Sequence, residues 1–191
     1  MPALTPEQLL ERQSFIGGSD APAVCGVSPW RTAYQVYLEK IGQGEPVKET
    51  EAMYWGSIHE DNIARAYTDR TGRVLETMGA TVRVPSRPWQ GCHLDRMQLD
   101  TTICGSGVAE FKTTRARLKP GECPESYIVQ LYHNLICTQL TWGTVVILIQ
   151  GSELVWYDYH LTPQIERSII AIESKFWSAV EAKDWSRFGV E

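Results

Sequence analysis

Two acidic residues and a lysine in the stretch His93–Lys112 (HLDRMQLDTTICGSGVAEFK) have the types and spacing to hold a divalent cation. Asp95 closes one apolar-rich run, and Glu110-Phe111-Lys112 lies on the next, beyond Gly105 and Gly107. The pattern predicts a β-hairpin with both acids at neighbouring strand positions. Strand side chains alternate faces, so Glu110 and Lys112 share one face while Phe111 packs into the other. Two carboxylates and an amine converging on one point are costly unless a cation lies between them. Hard oxygen donors of this kind suit Mg²⁺ or Mn²⁺, with water in the remaining positions. A surface hairpin carrying a solvated Glu/Lys pair is the plainer reading of the same letters, so the choice rests on the rest of the chain.

Other stretches carry weaker chemistry. Phe15-Ile16-Gly17-Gly18-Ser19-Asp20 is an apolar step, two glycines and a helix start, where backbone can approach a ligand and amides can favour an anion; an ordinary capped turn fits equally. Thr113-Thr114-Arg115-Ala116-Arg117-Leu118-Lys119-Pro120 is the densest basic stretch. It reads either as phosphate-contacting or as a solvated loop. Glu60 and Asp61 on a long helix, and His133 on a later one, read by themselves as a solvated face and a structural histidine.

The elements that must position these residues follow from periodicity and caps. Thr5-Pro6-Glu7-Gln8 opens a short helix ending near Arg12–Gln13. Thr32 and Gln35 cap a helix stopped by Gly42, with Tyr34, Tyr37, Leu38 and Ile41 as its core face. Residues 43–50 read as a mobile polar loop. A long helix spans Ala52–Tyr67, with Trp55, Ile58, Ile63, Ala66 and Tyr67 as its apolar stripe, and ends at Thr71-Gly72. Strands are expected at Val74–Thr77 and Ala80–Val84, with a turn over Ser86–Gly91. Beyond the hairpin come a helix over Glu125–Leu140 with Tyr127, Leu131, Leu135 and Ile136 inward, a buried strand over Gly143–Gln150, and its partner over Leu154–His160. A closing helix runs from Thr162 to Trp185. β-branched residues on both faces of the strands fit a sheet covered by helices.

Bulk composition narrows the class. The chain of 191 residues suits one domain with a full core. A net charge of −5 argues against a protein that coats nucleic acid, though basic residues could still line one channel. No apolar run is long enough to span a membrane, and the N-terminus lacks the pattern of a secretion signal. Five cysteines (Cys25, Cys92, Cys104, Cys123, Cys137) are odd in number and lack C-x-x-C spacing. That disfavours zinc or a disulfide framework and fits a reducing cytosol. Cys92 and Cys104 could face each other across the hairpin, or be two buried thiols.

Taken in order, several motifs resemble the YqaJ-type viral recombinase nucleases, the lambda exonuclease group of the PD-(D/E)XK superfamily. They are Arg12-Gln13-Ser14-Phe15-Ile16-Gly17-Gly18-Ser19-Asp20, Val27-Ser28-Pro29-Trp30, Trp55-Gly56 with Glu60, Asp95, Glu110-Phe111-Lys112, and Tyr127-x-x-Gln130. The resemblance covers about residues 10–160 and implies an α/β (α+β) restriction-endonuclease-like core, a central mixed β-sheet flanked by helices. It implies that Asp95, Glu110 and the Phe111 backbone carbonyl hold one Mg²⁺ (Mn²⁺ substituting), with Glu60 at a second ion. Lys112 would position and help deprotonate the attacking water, and Gln130 would orient that water or the lysine. Arg12, Ser19 and His93 would form a pocket for a 5′-terminal phosphate, Met53 a wedge at the last base pair, and Arg115, Arg117 and Lys119 contacts to DNA.

The implied activity is a 5′→3′ double-strand DNA exonuclease that releases 5′-mononucleotides and leaves 3′ overhangs for phage-type recombination. The implied partners are duplex DNA ends, two further copies of the chain in a ring, and a single-strand annealing protein, in the cytoplasm of a bacterial host. A related nuclease of other polarity or endonucleolytic action, and a silent DNA-end binding module, are the alternatives. The intact acidic set argues against the silent module, because unneeded buried charge destabilises a fold. Three letters depart from the pattern. Leu94 replaces a proline, Arg96 replaces a glycine, and His93 stands where lambda exonuclease has a serine.

Overall fold

A computed structural model describes residues 6–45, 50–99 and 105–189, with side chains from residue 10 onward. The first proposed cap (Thr5 with Gln8), much of the 43–50 loop, the hairpin's connection and Cys104 therefore lie outside the described residues. In chain order the elements are α1 (Pro6–Gln13), α2 (Ala21–Val24), α3 (Ala33–Lys40), α4 (Glu51–Thr71), β1 (Val74–Glu76), β2 (Val82–Val84) and β3 (Arg87–Cys92). Then follow β4 (Arg96–Leu99), β5 (Ser106–Thr114), α5 (Glu125–Thr138), β6 (Trp142–Ile149), β7 (Glu153–His160), α6 (Pro163–Ala182) and a 3₁₀ turn at Trp185–Arg187.

Five strands form one mixed sheet in the order β1-β4-β5-β6-β7, and β2 and β3 form a separate pair. β4 and β5 are antiparallel, with Arg96 opposite Ala109, so the expected hairpin pairing is present. β5 and β6 run parallel, with Glu110 opposite Val145 and Lys112 opposite Ile147. Parallel neighbours need a crossover, and α5 supplies it. Alternation on β5 then sorts its side chains between two cores. Val108 joins Leu131, Leu135, Val145 and Ile147 beneath α5, while Ala109 and Phe111 join Ile63, Ala64, Tyr67 and Val146 beneath α4. A third core of Ile16, Val24, Val36, Tyr37 and Phe176 ties α2 and α3 to α6.

The caps behave as their residues dictate. Thr32 and Gln35 form the full capping box on α3, and Thr50 caps α4. Each such cap is worth about 1 kcal/mol. Gly72 ends α4 in the left-handed region at φ 71°. Several expectations need correction. Arg87–Cys92 is a strand, not a turn; Pro88 and Gly91 read as breakers, but the segment pairs with β2 and touches Ile16, whose amide donates to the Trp89 carbonyl at 2.7 Å. A Cβ on Gly91 would lie 2.9 Å from the Phe15 ring, so this glycine serves close packing. On α4 the inward stripe is Ile63, Ala64 and Tyr67, whereas Trp55 and Ile58 are exposed at 46% and 42% because Gly56, Glu60 and Ile63, at helical spacing, take the face toward the sheet. On α3, Val36 and Tyr37 face inward and Tyr34 outward. The last helix ends at Ala182, with Lys183 in the left-handed region.

Candidate active site

Glu110 is the centre of the site. The carboxylate is 1% exposed, on the middle strand, and turned toward α5. Lys112 Nζ donates to its Oε1 at 2.6 Å, Gln130 Nε2 donates to the same oxygen at 2.5 Å, and Asn134 Nδ2 donates to Oε2 at 2.8 Å. Gln130 and Asn134 are four residues apart on α5, so one helix face presents both amides. Asp95 stands immediately before β4, and its Oδ2 accepts from the Phe111 amide at 2.8 Å. The antiparallel register thus brings Asp95 beside the Glu110–Lys112 segment, as the hairpin reading expects.

Electrostatics leave this cluster short of positive charge. Burial, with Asp95 and Glu60 nearby, pushes the Glu110 carboxyl up to about 7 despite Lys112. Burial and Asp95 also raise Glu60, against the pull of Arg96. Burial favours the neutral amine of Lys112, but the Glu110 and Asp95 carboxylates outweigh it and raise its pKa, so the side chain is an ammonium. Lys112 and Arg96 offset only part of the carboxylate charge gathered here, and a divalent ion would supply the rest. The donors are hard oxygens, which fits Mg²⁺ or Mn²⁺. Among the described residues no three His, Cys, Asp or Glu side chains form a ready-made cage. An ion here would rest on Asp95, Glu110 and the Phe111 carbonyl and keep waters, as Mg²⁺ does. Glu60 approaches from α4, where Arg96 Nη1 donates to its Oε1 at 2.6 Å.

The candidate phosphate residues flank Phe15–Asp20. Ser19 is exposed. Arg12 lies with Nε 3.9 Å from Glu39 Oε1, and the His93 ring sits 6.4 Å from Phe15 and 3.2 Å from Thr81 Oγ1. Asp20 is not a side-chain cap. It is buried, paired with Lys40 Nζ at 2.7 Å and Arg31 at 3.2 Å, and accepts from the Gly17 amide. Burial would raise its carboxyl, but Lys40 and Arg31 outweigh that and hold it at about 2. Lys40 also donates to the Arg12 carbonyl at 2.6 Å, so this ion cluster fixes the backbone that carries Arg12.

Several contributors went unread in the sequence. Asn134 holds Glu110 and also fills the space over Gly18, where a Cβ would lie 2.4 Å from Asn134 Oδ1. Gly18 and the Glu110 carboxylate therefore share one side chain, and the four-residue spacing of Gln130 and Asn134 is the signal in the sequence. Tyr127 lies 5.8 Å from Lys112 Nζ and stacks on the exposed Trp30. Met53 is half exposed near the start of α4, and Gly56, one turn on, faces Thr113 of β5. Arg115, Arg117 and Lys119 are exposed just beyond β5. His133 is a buried structural residue, with Nδ1 2.7 Å from Glu173 and Nε2 3.0 Å from the Gly91 carbonyl.

The mixed sheet flanked by helices matches the fold of solved phage-type exonucleases. Two structures of LHK-Exo, an alkaline exonuclease from Laribacter hongkongensis, show the same fold. The one in complex with dAMP superposes with a TM-score of 0.75 at 20% identity over 94% of each chain, and the other with 0.76 at 19%. A phage related exonuclease from Haemophilus somnus 129PT gives a TM-score of 0.63 at 7% identity, covering 88% of this chain and 96% of that one. By sequence, residues 9–141 match the YqaJ-like viral recombinase domain. The uncharacterized protein YqaJ of Bacillus subtilis (strain 168) is 33% identical over 180 residues, which is 90% of this chain and 55% of that protein. This chain thus spans about half the length of that curated relative. The chain belongs to the YqaJ-like viral recombinase family.

Proposed function

We propose that this chain is a Mg²⁺-dependent nuclease that digests duplex DNA 5′→3′ from its ends. It releases 5′-mononucleotides and leaves 3′ overhangs for recombination by single-strand annealing. The observation that carries the reading is the convergence of Lys112, Gln130 and Asn134 on the buried Glu110, with Asp95 joined to the same strand. Bound Mg²⁺, or Mn²⁺ in its place, supplies an activated water and offsets charge on the departing oxygen. Asp95, Glu110 and the Phe111 carbonyl would hold one ion, and Glu60 would serve a second. The Lys112 ammonium, anchored at Glu110, would donate a hydrogen bond to the water and orient it, and the proton of a water acidified by the ion would pass to solvent. Gln130 and Asn134 orient the Glu110 carboxylate, so each of its oxygens has a fixed direction.

Arg12, Ser19 and His93 would receive the 5′ phosphate, Arg12 as a planar fork and His93 as a second donor. Met53 would part the last base pair, and Arg115, Arg117 and Lys119 would meet the phosphates alongside. A three-membered ring around the DNA would need basic residues only at its lining, which reconciles end digestion with a net charge of −5. A single-strand annealing protein is the natural recipient of the overhang.

The test is digestion of a linear duplex labelled separately at its 5′ and 3′ ends, with Mg²⁺ or with EDTA. Early release of 5′-labelled mononucleotide, with metal only, is the expected result. Early loss of the 3′ label would refute the polarity, and DNA bound but uncut would convert the protein to an end-binding module.

A further inference from the structure

Arg96 replaces the glycine that the family resemblance places after Asp95, and its side chain does not point away from the site. One guanidinium nitrogen donates to Glu60 Oε1 at 2.6 Å and also to the Asp95 carbonyl, and the other donates to Asp61. The Arg96 side chain is only 12% exposed, whereas Asp61 is 89% exposed. The fork is therefore seated between the start of β4 and the face of α4. It binds the carboxylate assigned to the second ion and the backbone of the residue assigned to the first.

We propose that Arg96 is a built-in counter-ion that closes the Glu60 position. The DNA-free protein then takes one divalent cation, at Asp95 and Glu110, and takes a second only when a DNA phosphate draws the guanidinium away. This rests on the nuclease reading above. Glu60, Asp61, Asp95 and Glu110 face two cationic side chains, Lys112 and Arg96. One divalent ion balances that set, and a second would leave the cleft with excess positive charge until a phosphate arrived. A carboxylate that already accepts a short charge-assisted bond is also a poorer ligand for another cation, since the two positive charges repel at close range. The guanidinium fork matches phosphate as well as it matches carboxylate, so incoming DNA offers Arg96 an equivalent partner. Glycine at this position would leave Glu60 open at all times.

The experiment counts Mn²⁺ ions bound to the full chain by electron paramagnetic resonance, which needs no turnover. Wild type without DNA is expected to bind one ion per chain. Arg96→Gly and Arg96→Gln, both checked for cooperative melting, are expected to bind two, and Arg96→Lys one. In a Lys112→Ala background, which keeps the carboxylates while slowing cleavage, adding a 5′-phosphorylated duplex should raise the count from one to two. Two ions on DNA-free wild type, one ion on both neutral variants, or a count unchanged by DNA would overturn the counter-ion and leave the nuclease reading intact. No Mn²⁺ on wild type would remove the metal site itself.

Discussion

A carboxylate that is almost fully buried yet held near neutrality, as Glu110 is, derives its value from what it binds. Replacing Glu110 with Gln, or Asp95 with Asn, keeps the volume and removes the charge that a cation would meet. Each change should cut nuclease activity about a thousandfold or more, since several kcal/mol of charge stabilisation are lost. Steady-state digestion of end-labelled duplex checks this, and near-wild-type rates would displace both residues from the site. Arg12 supports a more selective prediction. Its guanidinium is partly exposed beside Glu39, on backbone pinned by Lys40. Arg12→Ala should slow digestion of 5′-phosphorylated ends roughly tenfold, the loss of one charge-assisted contact, and leave 5′-hydroxyl ends little changed. Equal slowing on both ends would take Arg12 out of the phosphate pocket. Residue types at this scale were legible in the letters: Asp95, Glu110 and Lys112 stand where strand alternation requires. Asn134 and Lys40 were not, because their roles depend on partners distant in sequence, and neither propensity nor local spacing names a partner.

Between elements, the tightest joint near the site is the approach of the Phe15–Asp20 segment to α5. Gly18 and Asn134 share one volume there, and Asn134 is buried and bonded to Glu110, so it cannot swing aside freely. Gly18→Ala should destabilise the fold by about 1–3 kcal/mol, the usual cost of overpacking. It should lower activity further than that loss explains, because Asn134 releases Glu110 as it moves. Denaturant unfolding and digestion rates measured on the same variant separate the two effects; full activity with reduced stability would uncouple the loop from the carboxylate. Element types were mostly readable, since caps such as Thr32 and Thr162 and the alternation of β5 and β6 are local signals. Errors arose where tertiary context overrules local preference. β3 contains proline and glycine yet pairs with β2 and Ile16, and on α4 Trp55 and Ile58 are apolar yet lie off the face turned to the sheet.

Across the molecule, one buried ion pair binds the layers together. His133 on α5 meets Glu173 on α6, and Gln90 on β3 donates to the same carboxylate at 2.5 Å. Burial alone would lower the His133 pKa, but Glu173 and the Gly91 carbonyl outweigh it and raise it to about 9. The pair's stabilisation is thus complete below the unfolded value near 6.5 and is lost as pH rises through about 9. Unfolding free energy should fall over that window by on the order of 3 kcal/mol, and Glu173→Gln should flatten the slope. Chemical denaturation at pH 6, 7.5 and 9.5 checks it; a wild-type stability that instead rises between pH 6 and 7.5 would show His133 neutral in the fold, and a flat one would show its titration unshifted by folding. Assembly is tested at the same scale: sedimentation should give three times 21.6 kDa, and a monomer at working concentration would remove the ring. Finally, β4 pairs with β5 only over Ser106–Ala109, so Glu110, Phe111 and Lys112 lie beyond it, paired with β6, and on the open side the Asp95 carboxylate accepts from the Phe111 amide. Amides that bond between β5 and β6 should exchange with solvent deuterium at the slow limit of the protein, while the Phe111 amide should exchange earlier once Asp95 is replaced by Ala. One carboxylate is thus also the clasp on the open flank of the central strand, so chemistry and local order would fail together.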